Sequence, residues 1–256
     1  MANLRPMATL VVSVLALTCS ARGGVLASSA ASGPDVSLTM PRAPETRGMI
    51  FIPGGLARMS YSLEETKIEP FFIDQTETTV EQYRRCVEAG ACTPAGEQWE
   101  TCNWPKRSAR ARHPVNCVTW EQAEQFCRWA KKRLPSEAEW EFAARGAEGR
   151  TFPWGEEAPS DQLCWDRSDS ADAPATCPVG SHPQGATPEK VLDLAGNVWE
   201  WTAGAEILPG NIRGYAIRGG GWSYDPLLPT PDVRAVDREV HLPSHSASDV
   251  GFRCAR

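Results

Sequence analysis

Cysteine is missing from two places where chemistry would need it. No pair stands as C-x-x-C, and no cysteine at all occurs between Cys177 and Cys254. The first absence removes zinc ribbons and thioredoxin-like redox sites, which need sulfurs at that spacing. Histidine is scarce too: His113, His182, His241 and His245 are the only four. No Ser-His-Asp pattern and no phosphate-binding loop stands in a supporting context. The chain has no basic stripe, and a formal net charge of -6 argues against a nucleic-acid surface. The one short basic run, Arg107 to His113, reads as a solvated loop. No equal-length repeat is apparent.

What is present begins with an export signature. Arg5 precedes an apolar run from Met7 to Leu17, which is too short for a membrane span. Residues 1–19 read as a signal peptide or lipoprotein signal. Leu15 to Cys19 resembles a bacterial lipoprotein cleavage box, although Thr18 is unusual before the cysteine. A lipidated Cys19 would tether the protein to a membrane; simple cleavage would release it. The expected location is periplasmic, cell-surface or secreted. Residues 20–47 are rich in Ala, Ser, Gly and Pro and read as a flexible linker. Residues 48–256 are expected to fold as a single domain.

Without Cys19, eight cysteines remain, an even number behind an export signal. That pattern indicates disulfides, but arithmetic does not choose the pairing. Three helix starts are legible. Thr79 with Gln82, Thr119 with Gln122, and Ser136 with Glu139 each form a capping-box pattern. Gly90 and Gly146 stop the first and third helices. Short strands are expected near residues 48–55 and Phe71 to Ile73. After Gly146 the sequence breaks into short Gly-, Pro- and Trp-rich pieces. All ten tryptophans lie between Trp99 and Trp222, enough to give an irregular chain a rigid core.

Seven ordered segments carry a resemblance. They are HPVNCVTW from His113, RLPSEAEWEFAARG from Arg133, FPWG from Phe152, PVGS from Pro178, GNVWEW from Gly196, RGGGW from Arg218 and GFRC from Gly251. Together they resemble the formylglycine-generating enzyme family, the sulfatase-modifying factors, over roughly residues 49–256. The resemblance implies an α+β fold with extensive irregular coil, a variant of the C-type-lectin-like fold. It also implies a Cys127–Cys254 bridge, with Cys164–Cys177 as a local pairing. The other four cysteines stay open. Around calcium it places the Glu200 carboxylate with carbonyls of Ala195, Gly196 and Val198, hard oxygen donors that suit the ion.

Enzymes of this family oxidise a sulfatase cysteine to formylglycine with dioxygen. They use two cysteines after the glycine-rich segment to bind copper(I), a soft ion that thiolates hold well. Here Tyr224 and Pro229 stand at those positions. The resulting expectation is a divergent non-oxidase member, a pseudoenzyme with no catalytic residue and no copper. It would bind a peptide, protein or glycan, touching a membrane only through Cys19. Trp222, Tyr224, Arg234 and Arg238 are the candidate groove residues, although either arginine has an acidic neighbour, Asp237 or Asp249, as an alternative partner. The alternatives are enzymatic: another metal-dependent chemistry, with His241 and His245 as a loop metal site, or copper-dependent oxidation itself.

Overall fold

The structure, a computed structural model, describes residues 46–62, 64–165, 175–223 and 232–256. The signal segment with Cys19, nearly all of the linker, Tyr224 and Pro229 lie outside them.

Four short strands open the fold: β1 (Met49–Ile52), β2 (Gly55–Arg58), β3 (Glu65–Ile68) and β4 (Phe71–Asp74). β1 pairs antiparallel with β4, and β2 with β3. Three helices follow: α1 (Val80–Glu88), α2 (Trp120–Trp129) and α3 (Glu137–Arg145). All three begin at complete capping boxes, on Thr79, Thr119 and Ser136. In each, the cap hydroxyl accepts the third helical N–H and the third side chain returns to the cap N–H, satisfying two donors the helix itself leaves free. Helix α1 buries Val80, Tyr83 and Cys86 along one side, and α2 buries Ala123, Phe126 and Cys127. Helix α3 is buried continuously from Trp140 to Ala144 because it packs against β3 and the main sheet.

The main sheet has the order β7-β6-β5-β8, from β5 (Trp199–Leu208), β6 (Ile212–Arg218), β7 (Arg238–His241) and β8 (Val250–Gly251). The β5–β6 hairpin is longer than the broken sequence pattern leads one to expect. Gly210 and Asn211 adopt φ of 83° and 61° at its turn, a conformation these residue types tolerate.

Two buried ion pairs cross this core. Arg218 on β6 meets Glu141 on α3, and Arg253 holds Glu200 on β5 at 2.7 Å. Four disulfides join Cys86–Cys92, Cys102–Cys117, Cys127–Cys254 and Cys164–Cys177. The expected C-type-lectin-like class is corrected. Three capped helices, with α2 tied to the chain end by Cys127–Cys254, two separate two-stranded sheets and a four-stranded sheet form the sulfatase-modifying-factor fold, an assignment carried by the solved structures CarF and PvdO.

Candidate active site

One asparagine ties three segments together. Gly196 and Asn197 both adopt positive φ, 72° and 62°, turning the chain sharply before β5. A side chain on Gly196 would come within 2.5 Å of the Cys164 carbonyl, so only glycine allows this approach. Asn197 donates its N–H to that same carbonyl at 2.7 Å. Its side-chain Oδ1 accepts the N–H of Cys177 at 2.9 Å, and its backbone carbonyl accepts the N–H of Trp222, also at 2.9 Å. Trp222 is anchored at its far end, donating Nε1–H to the Ser248 carbonyl at 2.9 Å. The glycine-rich RGGGW segment therefore ends in a buried indole packed on Cys164 and Cys177.

His182 completes the group. Its ring nitrogen and the two sulfurs all lie within 4.8 Å of one another, the one group of three or more such donors among the described residues. Its Nδ1 lies 3.0 Å from the Asp161 carbonyl. A carbonyl can only accept, so the neutral ring carries its proton on Nδ1 and leaves Nε2 with a free lone pair. Cys164 and Cys177 are buried while His182 is partly exposed, so the group lies just beneath the surface with the imidazole at its edge.

The sulfurs are joined in a disulfide. In that form neither is a thiolate, and the thiolate is both the nucleophile and the soft ligand. Two-electron reduction would yield two thiolates beside an imidazole, a donor set that fits copper(I) by softness and by number.

Four expectations change here. The chain is not without an active-site-like cysteine pair because Tyr224 and Pro229 stand in the glycine-rich segment; Cys164 and Cys177 supply a pair from elsewhere, with His182. The pseudoenzyme reading loses its basis with it. Copper, set aside on the sequence, has a fitting donor set. Calcium at Glu200 has none: one Glu200 oxygen accepts from Arg253 Nε at 2.7 Å and Trp140 Nε1 at 2.8 Å, and the other from Arg253 Nη2 at 2.7 Å. A cation there would meet a guanidinium instead of a free carboxylate. The nearby Gly196 and Ala195 serve the turn that holds Cys164.

The candidate groove arginines are each held by a carboxylate. Arg234 pairs with Asp237 at 2.7 Å, and Arg238 pairs with Glu137 at 2.6 Å and with Glu206. His241 and His245 stack, centroids 4.0 Å apart and planes 15° apart. Parallel rings aim their nitrogens side by side and not at one ion. His241 Nε2 instead meets Glu239 at 2.7 Å. Burial first, then the neighbouring His241, holds His245 below the usual histidine range.

A second buried group lies close to the Arg253 guanidinium. Glu77 is buried with neither carboxylate oxygen hydrogen-bonded. Burial, and then the charges of Asp193 and Glu200, push its carboxyl well above the usual range, with Arg253 opposing. Burial also raises Asp193 and Glu200.

His182 was hidden in the sequence among scattered histidines. The only local signal is its position five residues beyond Cys177, directly after the Pro-Val-Gly-Ser segment.

Residues 36–256 match the family model described as "Sulfatase-modifying factor enzyme 1-like domain", and the chain belongs to that family. It is 30% identical to a formylglycine-generating enzyme of Streptomyces coelicolor, covering 84% of this chain and 90% of that protein. Over a shorter stretch, 36% of this chain and 34% of the relative, it is 46% identical to the formylglycine-generating enzyme of Mycobacterium tuberculosis. It is 35% identical to a Bos taurus protein named inactive C-alpha-formylglycine-generating enzyme 2, over 56% of this chain, and spans about half of that relative's length. Among solved structures, CarF aligns with a TM-score of 0.66 at 23% identity, covering 81% of this chain and 97% of that one. PvdO from Pseudomonas aeruginosa aligns at 0.63 and 24% identity, covering 81% and 93%. At those identities the likeness establishes the fold.

Proposed function

We propose that this chain is an exported oxidase of the formylglycine-generating type, acting on a cysteine of a peptide or protein substrate. Cys164, Cys177 and His182 are its reactive set. The observation that carries the reading is the convergence of those three donors within 4.8 Å, on a chain whose family relatives include named formylglycine-generating enzymes.

The chain's own residues divide the work. Asn197 holds the Cys177 backbone and, through its N–H, the Cys164 carbonyl, so the sulfurs remain adjacent after their bond opens. Trp222 shields them from bulk water. The Asp161 carbonyl fixes the His182 tautomer, leaving Nε2 to bind a metal or take a proton. Two equivalents of an external thiol would open the disulfide, leaving the external thiols as their own disulfide. Copper(I) held by the thiolates and imidazole would supply dioxygen activation. The overall conversion balances as substrate R-CH2-SH plus O2 plus two thiols giving R-CHO, hydrogen sulfide, water and one disulfide.

Four disulfides fit an oxidising compartment. Among the described residues, no helix is long and apolar enough to cross a membrane. We read residues 48–256 as the catalytic domain, delivered outside the cytoplasm either free or through a lipidated Cys19.

The test treats the full chain with a mild thiol reductant, adds copper(I) and oxygen, and supplies a Cys-x-Pro-x-Arg peptide. Mass spectrometry follows replacement of the peptide thiol by an aldehyde. Turnover that disappears in Cys164→Ser, Cys177→Ser and His182→Ala is expected. No turnover beside an active family enzyme, or full turnover in all three variants, would overturn the reading.

A further inference from the structure

Arg110, from the basic run that reads as a solvated loop in the sequence, and Lys106 just before that run line a cavity beside Cys177. A cavity of about 150 Å³ is lined by Glu100, Thr101, Cys102, Asn103, Lys106, Arg110 and Ala175. Its floor is stapled by the Cys102–Cys117 disulfide. Asn103 locks the floor to the strip that carries Cys177, donating Nδ2–H to the Pro114 carbonyl at 2.8 Å and to Thr176 Oγ1 at 2.9 Å. Arg112 continues the contact, its carbonyl accepting the Val179 N–H at 2.9 Å. The cavity and the Cys164–Cys177–His182 group therefore flank the same strip, residues 175–182, and Thr176 is the immediate neighbour of Cys177.

The cations of this wall have capacity left over. Arg110 uses only Nη1, in long contacts of 3.3 Å to His113 Nδ1 and 3.4 Å to the Thr176 carbonyl. Its Nε and Nη2 hydrogens have no partner among the described residues. Lys106 gives one of its three N–H groups to the Glu100 carbonyl at 3.1 Å. Among the described residues, these two lining cations, Lys106 and Arg110, pair with no carboxylate, whereas the arginines of α1 and α3 all do. Glu100 is the one acidic side chain in the wall. A guanidinium with an open fork edge beside an ammonium, on a disulfide-stapled floor, is arranged for a carboxylate. A cavity this small takes one side-chain carboxyl and little more.

We infer that this cavity is a recognition subsite for an aspartate or glutamate side chain of a peptide substrate, positioned beside the reactive sulfurs. The inference names a substrate feature for the oxidase reading and rests on that reading for its purpose. Its test is binding alone, so the two fail separately: turnover without acidic preference defeats only this inference, and acidic binding without turnover defeats only the other.

The probe is a fluorescein-labelled peptide carrying two glutamates, compared with the same peptide carrying two glutamines. Both are titrated against the oxidised full chain by fluorescence anisotropy, at low and at physiological salt. The glutamate peptide is expected to bind at least tenfold more tightly, about 1.4 kcal/mol, with the difference shrinking as salt rises. Arg110→Ala should erase the difference, and Arg110→Lys should restore only part of it, because an ammonium keeps the charge but loses the fork. An unchanged complement of four disulfides in each variant, read by alkylation and mass spectrometry, certifies the fold. Equal affinity for the two peptides, or an Arg110→Ala variant that still discriminates, would overturn the inference. So would displacement of the peptide by an equimolar amount of free glutarate, which would make the site one for small dicarboxylates.

Discussion

The sealed centre around Arg253 and the shallow group around His182 lie on either side of the same turn, yet they treat polar atoms in opposite ways. Around Arg253 every donor is used: Glu200, and the backbone carbonyls of Asp74, Gln75, Leu192 and Asp193, surround one guanidinium that is fully buried. Around His182 the ring keeps a lone pair on Nε2, beside two sulfurs joined to each other in a disulfide. A buried charge is stable when its hydrogen bonds are complete, so the Arg253 guanidinium is committed to holding the fold, while Glu77 near it stays without a hydrogen bond. The second lies just beneath the surface, two buried sulfurs with a partly exposed imidazole at their edge. The sequence placed calcium in the first centre and only a local disulfide in the second; the structure gives Glu200 to Arg253 and Trp140, and sets His182 against the two sulfurs.

Breaking the longest bridge should have the largest effect. Cys127–Cys254 closes a separation of 127 residues, against 13 for Cys164–Cys177. In the chain-entropy account the first contributes about 5 kcal/mol and the second about 3 kcal/mol. Replacing Cys127 and Cys254 together by alanine should therefore cost more in urea denaturation than replacing Cys164 and Cys177, while only the latter removes copper(I) binding. Equal costs, or copper binding lost in both, would erase the distinction between a structural and a working bridge.

Arg253→Met comes next. It leaves Glu200 buried without its main partner and should destabilise by about 3–5 kcal/mol. His182→Ala, on a partly exposed turn, should change stability by less than about 0.5 kcal/mol. Thermal unfolding of the two variants side by side measures the contrast between the centres directly.

The smallest effect is a slope. The Glu77 carboxyl is raised in the fold above its ordinary 4.5. A raised acid binds its proton more tightly folded than unfolded, so its contribution is fully present below pH 4.5 and is lost as pH rises above it. Glu77→Gln removes that titration. The variant's stability relative to the parent should therefore increase steadily above pH 4.5, as read from urea midpoints at several pH values. A gap that stays constant with pH would mean Glu77 ionises normally in the fold.

Much of the local structure was legible. Each helix start depends on a cap residue and a side chain three positions later, so Thr79–Gln82, Thr119–Gln122 and Ser136–Glu139 announce themselves without tertiary help. The β5–β6 hairpin was less legible, because Trp199 to Leu208 does not alternate cleanly: its first four residues are all buried against α3 and the core. The lectin-like class was a family-level inference that the observed sheets replaced. The site was the least legible part. Attention to the glycine-rich segment located an absence at Tyr224 and Pro229, while the available sulfurs lay far back along the chain.

The sequence by itself determined the family, the helix caps and the presence of eight cysteines to be paired, because each of these is written in neighbouring residues. Only the tertiary structure decided that Glu200 answers to Arg253 instead of a metal, that Asn197 clasps Cys164 and Cys177 beneath Trp222, and that His182 turns its ring toward them. Those choices join residues from separate segments, and which donors converge depends on how the turns and disulfides close space around them.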